Sequence, residues 1–129
     1  MTELIGTALA AVLAGDVASM ASLREVPQQE LAAAADGPLL LTRDAVVRVL
    51  RSYSAGEFSD AAVQSWASFV RRGYVAGGGG QPVHALPIDW EAAHEDAMAE
   101  AIERLDELGE PVDGTLREGE LDELLAALA

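Results

Sequence analysis

Two consecutive stretches, TRDAVVRVLRSYSAG and SDAAVQSWASFVRRG, constrain the fold more than anything else in the chain. Each opens on a hydroxyl residue, Thr42 or Ser59, and each closes on a glycine, Gly56 or Gly73. A hydroxyl at that place satisfies a free amide of the first helical turn, and glycine tolerates the backbone conformation that ends a helix. Asp44 and Asp60 sit where the helix dipole is positive, and Arg71 and Arg72 where it is negative. Val46, Val49, Leu50 and Tyr53 recur at helical spacing in the first stretch, and Val63, Trp66, Phe69 and Val70 in the second. The spacing predicts two amphipathic helices packed against a common core.

The same period recurs along the chain. Leu4, Ile5, Leu9, Val12 and Leu13 predict a helix over residues 2–14. Asp16 is placed to cap a short segment whose Val17, Met20 and Leu23 share a side, and Pro27 suits the first turn of a helix over 28–35. The run at 38–41, PLLL, has no obvious strand partner and is expected to be a buried connector. Residues 74–88 contain four glycines and two prolines and are expected to form a flexible loop. Asp89 is expected to cap the longest helix, residues 90–108, whose apolar side is Trp90, Ala93, Ala97, Ala101, Leu105 and Leu108 with Met98 and Ile102 beside it. Thr115 and Glu118 have capping-box spacing before a last helix carrying Leu116, Leu121, Leu124, Leu125 and Leu128. Strand patterns are nearly absent. The expected fold is all-α: one domain of 129 residues with about five main helices, in which short helices form an N-terminal extension, 1–38, on a bundle, 42–129. With six aromatic residues in all, the core must be mostly Leu, Val and Ala.

Composition narrows the function classes. There is no cysteine, hence no disulfide framework and no thiolate zinc site. The apolar N-terminal run lacks a basic leader and is too short to span a bilayer, so a cytoplasmic protein with no membrane role is expected. Net charge is −14 and uneven: residues 1–87 hold eight acids and six arginines, residues 88–129 fourteen acids and two arginines. Direct nucleic-acid binding needs clustered cations and is not expected. All eight cations are arginine, which together with abundant Ala and Gly fits a GC-rich bacterial coding sequence.

Motifs of catalysis are weak. No serine lies in a Gly-x-Ser-x-Gly turn, and the Gly77–Gly80 run lacks the Lys-Ser/Thr of a phosphate loop. The stretch GEPVDGTLREGEL aligns with a calcium loop at Asp113, Gly114, Thr115 and Glu120. Its first and third positions, however, are Gly109 and Pro111, which offer no side-chain oxygen, so a plain turn is the better reading. Glu91 and His94 have half of a carboxylate-histidine metal pattern, with His84 the only other histidine. The LDELL run at 121–125 is read as a core stripe. No cofactor and no catalytic residue are expected.

The acidic helix is more informative. Glu91/Glu95, Asp96/Glu100, Glu103/Glu107 and Asp106/Glu110 are like charges four apart, each costing a few tenths of a kcal/mol in an isolated helix, and Glu100–Arg104 is the one opposing pair. Such a face is either a solvated surface or a surface that meets a basic protein.

The segment AVVRVLRSYSAGEFSDAAVQSWASFV followed by an acidic helix resembles the colicin-type bacterial immunity proteins over residues 42–129. The marks are the YSAGEFSD junction, Trp66 in the following helix and the acidic surplus. The chain differs from that pattern by its first forty residues and its glycine-rich loop. The resemblance implies a small acidic helical bundle that binds and blocks a nuclease toxin. It makes Asp89, Glu91, Glu95, Asp96, Glu100, Glu103 and Glu107 the contact candidates, with Trp90 or Tyr74 as an aromatic anchor. Two other readings stand beside it: a ligand- or metal-binding helical protein using His84, His94, Glu91 and the loop, and a structural homo-oligomer joined through alanine-rich faces.

Overall fold

A computed structural model describes residues 2–23, 26, 28–34, 39–73, 86, 88–109 and 116–129. Several expectations lie outside the described residues: Pro27, the stop at 36–38, Tyr74, the glycine run, His84, and the 110–115 stretch with its Thr115 cap.

The protein is mainly helical. Its elements in chain order are α1 (Thr2–Leu13), α2 (Met20–Leu23), α3 (Gln28–Ala34), β1 (Leu39–Leu41), α4 (Arg43–Ser54), α5 (Asp60–Arg72), β2 (Ile88–Trp90), α6 (Glu95–Asp106) and α7 (Glu120–Leu128). One-turn 3₁₀ segments, Val17–Ser19 and Ala92–His94, lead into α2 and α6. Among the described residues no helix is long and apolar enough to cross a membrane.

The central helices form as their sequences dictate. Thr42 Oγ1 accepts from the Ala45 amide at 3.3 Å, and Ser59 Oγ from the Ala62 amide at 3.2 Å. Val46, Val49 and Leu50 of α4 and Val63, Trp66, Phe69 and Val70 of α5 are buried. Tyr53 is half-buried, and its hydroxyl donates to Asp60 Oδ1 at 2.6 Å across the junction. Burial and this bond push its pKa up to about 12.

The N-terminal segment belongs to the same core. Leu9, Val12, Leu13, Val17, Met20, Leu23 and Leu31 join the apolar cluster of α4, α5 and α6. The indole N–H of fully buried Trp66 donates to the Val12 carbonyl at 2.8 Å, which satisfies a polar group that burial would otherwise penalise. Gly15 lets the end of α1 approach α4: a Cβ there would stand 2.6 Å from the Ala45 carbonyl oxygen, and its φ of +94° suits glycine.

Four expectations are corrected. Leu4 is 72% exposed and does not join the core, because the buried side of α1 is set by Leu9, Val12 and Leu13. The PLLL run does find a partner: Leu39, Leu40 and Leu41 pair in parallel with Ile88, Asp89 and Trp90, so the fold is not all-α. Leu39 and Leu41 point into the core and Leu40 points out, the alternation a strand requires. Asp89 is therefore a strand residue, not a helix cap, and α6 begins at Glu95. Ala93 is exposed accordingly. Finally, α7 begins at Glu120 rather than Thr115, and Glu120 instead of Glu118 reaches back, accepting from the Arg117 amide at 2.9 Å.

Candidate interaction surface

The helix α6 separates its residues by phase. Met98, Ala101, Ile102 and Leu105 are buried against α5 and its neighbours. The opposite side carries Asp96, Glu100, Glu103 and Glu107, at steps of four, three and four, so these four carboxylates form one stripe roughly 16 Å long. Asp96, Glu100 and Glu103 are exposed and Glu107 is half-buried. Glu95 lies exposed in the first turn, beyond the half-buried Glu91 and Trp90 and the exposed Asp89 of β2.

Acids within this region divide sharply by partner. Asp106 is buried on the apolar side and is not part of a like-charged surface pair. Its carboxylate accepts from Arg71 at 2.9 Å and from Gln64 at 2.9 Å, and stands 3.1 Å from Arg72. This group ties α5 to α6, the most extensive helix pairing among the described residues. Glu120 is buried at the start of α7 and is held by Arg104 of α6 at 2.5 Å. The Arg104 guanidinium, through that hydrogen bond, holds the Glu120 carboxyl below the usual carboxylate range, outweighing the opposite effect of burial. Arg104 also pairs with Glu107, not with Glu100 as the spacing suggests, and its own pKa is raised chiefly by the hydrogen bond to Glu120. Arg117 bonds Glu123 at 3.3 Å. By contrast, Asp89, Glu95, Asp96, Glu100 and Glu103 make no ion pair with any described residue.

The metal readings gain little. His94 Nε2 is 3.6 Å from Glu91, and no group of three or more histidine and acidic side chains among the described residues is placed to hold a metal ion. His84 lies outside those residues. Glu120, which would be the last ligand of a calcium loop, is already bound by Arg104 and the Arg117 amide. The LDELL leucines pack as a core stripe, with Leu124 buried and Leu121 and Leu125 half-buried.

Sequence reasoning counted Asp106 among surface acids. The available signal was its helical phase: Asp106 follows Ile102 by four and Leu105 by one, which puts it at the edge of the buried side. No family model, characterised protein or solved structure matches the chain, so its surface is judged by its own chemistry.

Proposed function

We propose that the protein is a non-enzymatic binding module whose acidic surface docks onto a basic protein, with a basic nuclease toxin as the partner class and inhibition as the outcome. The observation that carries this is the α6 stripe: Asp96, Glu100 and Glu103 stand exposed on one side of a helix and pair with no arginine among the described residues, while Arg71 and Arg72 are taken by Asp106 and Arg104 by Glu120 and Glu107. A helix optimised for stability alone would interleave cations on that side, because each like-charged pair costs a few tenths of a kcal/mol. Unpaired carboxylates in a row steer a cationic partner and speed association. Glu107 ends the stripe, Glu95 lies in the first turn of α6, and Asp89, Trp90 and Glu91 precede it in the chain; together they complete the proposed footprint. Trp90 is half-buried and packs on the core, and serves in this reading as the aromatic anchor.

The test pairs the native chain with the triple variant D96K/E100K/E103K, checked for native helicity. A basic nuclease retained by the immobilised native chain at low salt, released at high salt and inactive when mixed with it in equal amounts supports the proposal. Retention of the same nuclease by the charge-reversed variant, or full activity of the captured nuclease in the mixture, refutes it.

A further inference from the structure

A second polar feature lies on α4. Asp44, Val47, Arg48 and Arg51 follow one another at steps of three, one and three, so they share one side of the helix. The chain then turns back at Gly56, whose φ is +75°. The Gly56 amide donates to the Tyr53 carbonyl and the Glu57 amide to the Ser52 carbonyl, each at 3.0 Å, the paired bonds of a Schellman turn. This turn brings Glu57 alongside Ser52. The outcome is an open groove of about 360 Å³ lined by Asp44, Val47, Arg48, Arg51, Ser52 and Glu57.

Opposite charges share this groove without pairing across it. Asp44 is engaged from outside by Arg43 at 2.8 Å, and Arg48 donates to the Ala14 carbonyl at 3.3 Å. The side chains of Arg51 and Glu57 make no hydrogen bond or ion pair with any described residue. Every other described arginine has an acceptor. In a chain of net charge −14, an arginine left without a carboxylate is an uncommon resource.

The chemistry of the lining selects a ligand class. A guanidinium suits a planar carboxylate, which accepts two parallel hydrogen bonds from its fork, and Arg48 adds a second cation to the same lining. The two arginines and two acids sum to zero, and the protein as a whole repels anions, which works against a phosphate dianion. A molecule carrying both a carboxylate and an ammonium group satisfies both signs at once, with Val47 as its apolar floor. We propose that the groove binds a small zwitterion of amino-acid type, its carboxylate on Arg51 and Arg48, its ammonium on Glu57 and its side chain over Val47. The site is separate from the α6 stripe and does not depend on the function proposed for that stripe.

The test is an amide chemical-shift titration of the full chain and of R51Q and E57Q, with leucine, acetate and inorganic phosphate as probes. Arg51 and Glu57 are both exposed, so both variants are expected to retain the fold. Leucine is expected to give saturable shifts confined to Val47, Arg48, Arg51, Ser52 and Glu57, with a Kd of about 1 mM or below. Acetate is expected to bind about tenfold or more weakly, and R51Q and E57Q each to weaken leucine about tenfold. Binding of phosphate as tight as that of leucine, an unchanged leucine affinity in R51Q, or no saturation at all overturns the proposal. The D96K/E100K/E103K variant is expected to bind leucine as the native chain does, which keeps this result distinct from the stripe's.

Discussion

Removing the Asp106 carboxylate and removing its arginines are predicted to have unequal costs. The carboxylate is 3% exposed, whereas the Arg71 and Arg72 side chains are 42% and 40% exposed. In D106A the two guanidinium groups lose an acceptor but swing into water, so no charge is stranded. The cost falls between that of an exposed pair, at most about 1 kcal/mol, and that of breaking a fully buried pair, about 3–5 kcal/mol. We expect about 2 kcal/mol. In R71A/R72A the carboxylate stays in its dry position with Gln64 as its remaining donor. A buried charge without its cation carries its full desolvation penalty, so this variant is expected to lose more, about 3–4 kcal/mol. D96A, which removes a charge of the same sign from the exposed side of the same helix, should change stability by less than about 0.5 kcal/mol. Urea unfolding of the three variants and the native chain measures all of this, and at this size each kcal/mol corresponds to a shift in Tm of a few degrees, about 3–5 °C. A loss below about 0.5 kcal/mol in D106A would mean that the carboxylate does not tie α5 to α6. A larger loss in D106A than in R71A/R72A would refute the desolvation argument itself.

Two further outcomes follow from single positions. G15A places a Cβ 2.6 Å from the Ala45 carbonyl oxygen on a backbone with φ of +94°, and should cost about 2–4 kcal/mol in urea unfolding; a loss under about 1 kcal/mol would show that α1 and α4 do not meet there. The Glu120 carboxyl is held below its ordinary pKa in the folded state, so its contribution is fully present above the unfolded value and is lost as pH falls through the folded one. The stability gap between the native chain and E120Q should therefore be widest near neutral pH and close below about pH 4; a gap independent of pH would contradict the pairing with Arg104.

What the sequence made legible is what lies within one helical turn. The Thr42 and Ser59 caps, Asp44 and Asp60 in first turns, and the stops after α4 and α5 each depend on residues no more than four apart, and each is found where its spacing puts it. The parallel pair was not legible because Leu39 meets Ile88, whose position relative to it is fixed only once α4, α5 and α6 have packed. The same pairing displaced the start of α6. Asp89 has the chemistry of a cap, but the strand holds it, and the helix begins after His94, whose side chain makes no cap bond. Nothing local marks that boundary.

The acidic surplus was legible as composition, yet composition does not say which carboxylates are available. That depends on where a few arginines reach. Arg71 and Arg72 leave the end of α5 for Asp106, some thirty-five residues on, and Arg104 leaves α6 for Glu120. Both of these acids are buried, so the arginines are drawn to sites where an unpaired charge would cost most, and Arg104 adds only Glu107, three residues on, to its buried partner. Glu100 lies one turn from Arg104 and is passed over for this reason. The exposed stripe is thus a consequence of the core's own electrostatics: once the buried acids are neutralised, residues 88–129 have no unengaged cation among the described residues, and Asp96, Glu100 and Glu103 keep their charge directed outward from one side of α6. A surplus spread over the whole surface would serve solubility and give no orientation to an incoming partner. A row fixed on a helix whose other side is locked into the core does give one, and this directional charge is the physical basis for proposing α6 as a docking surface.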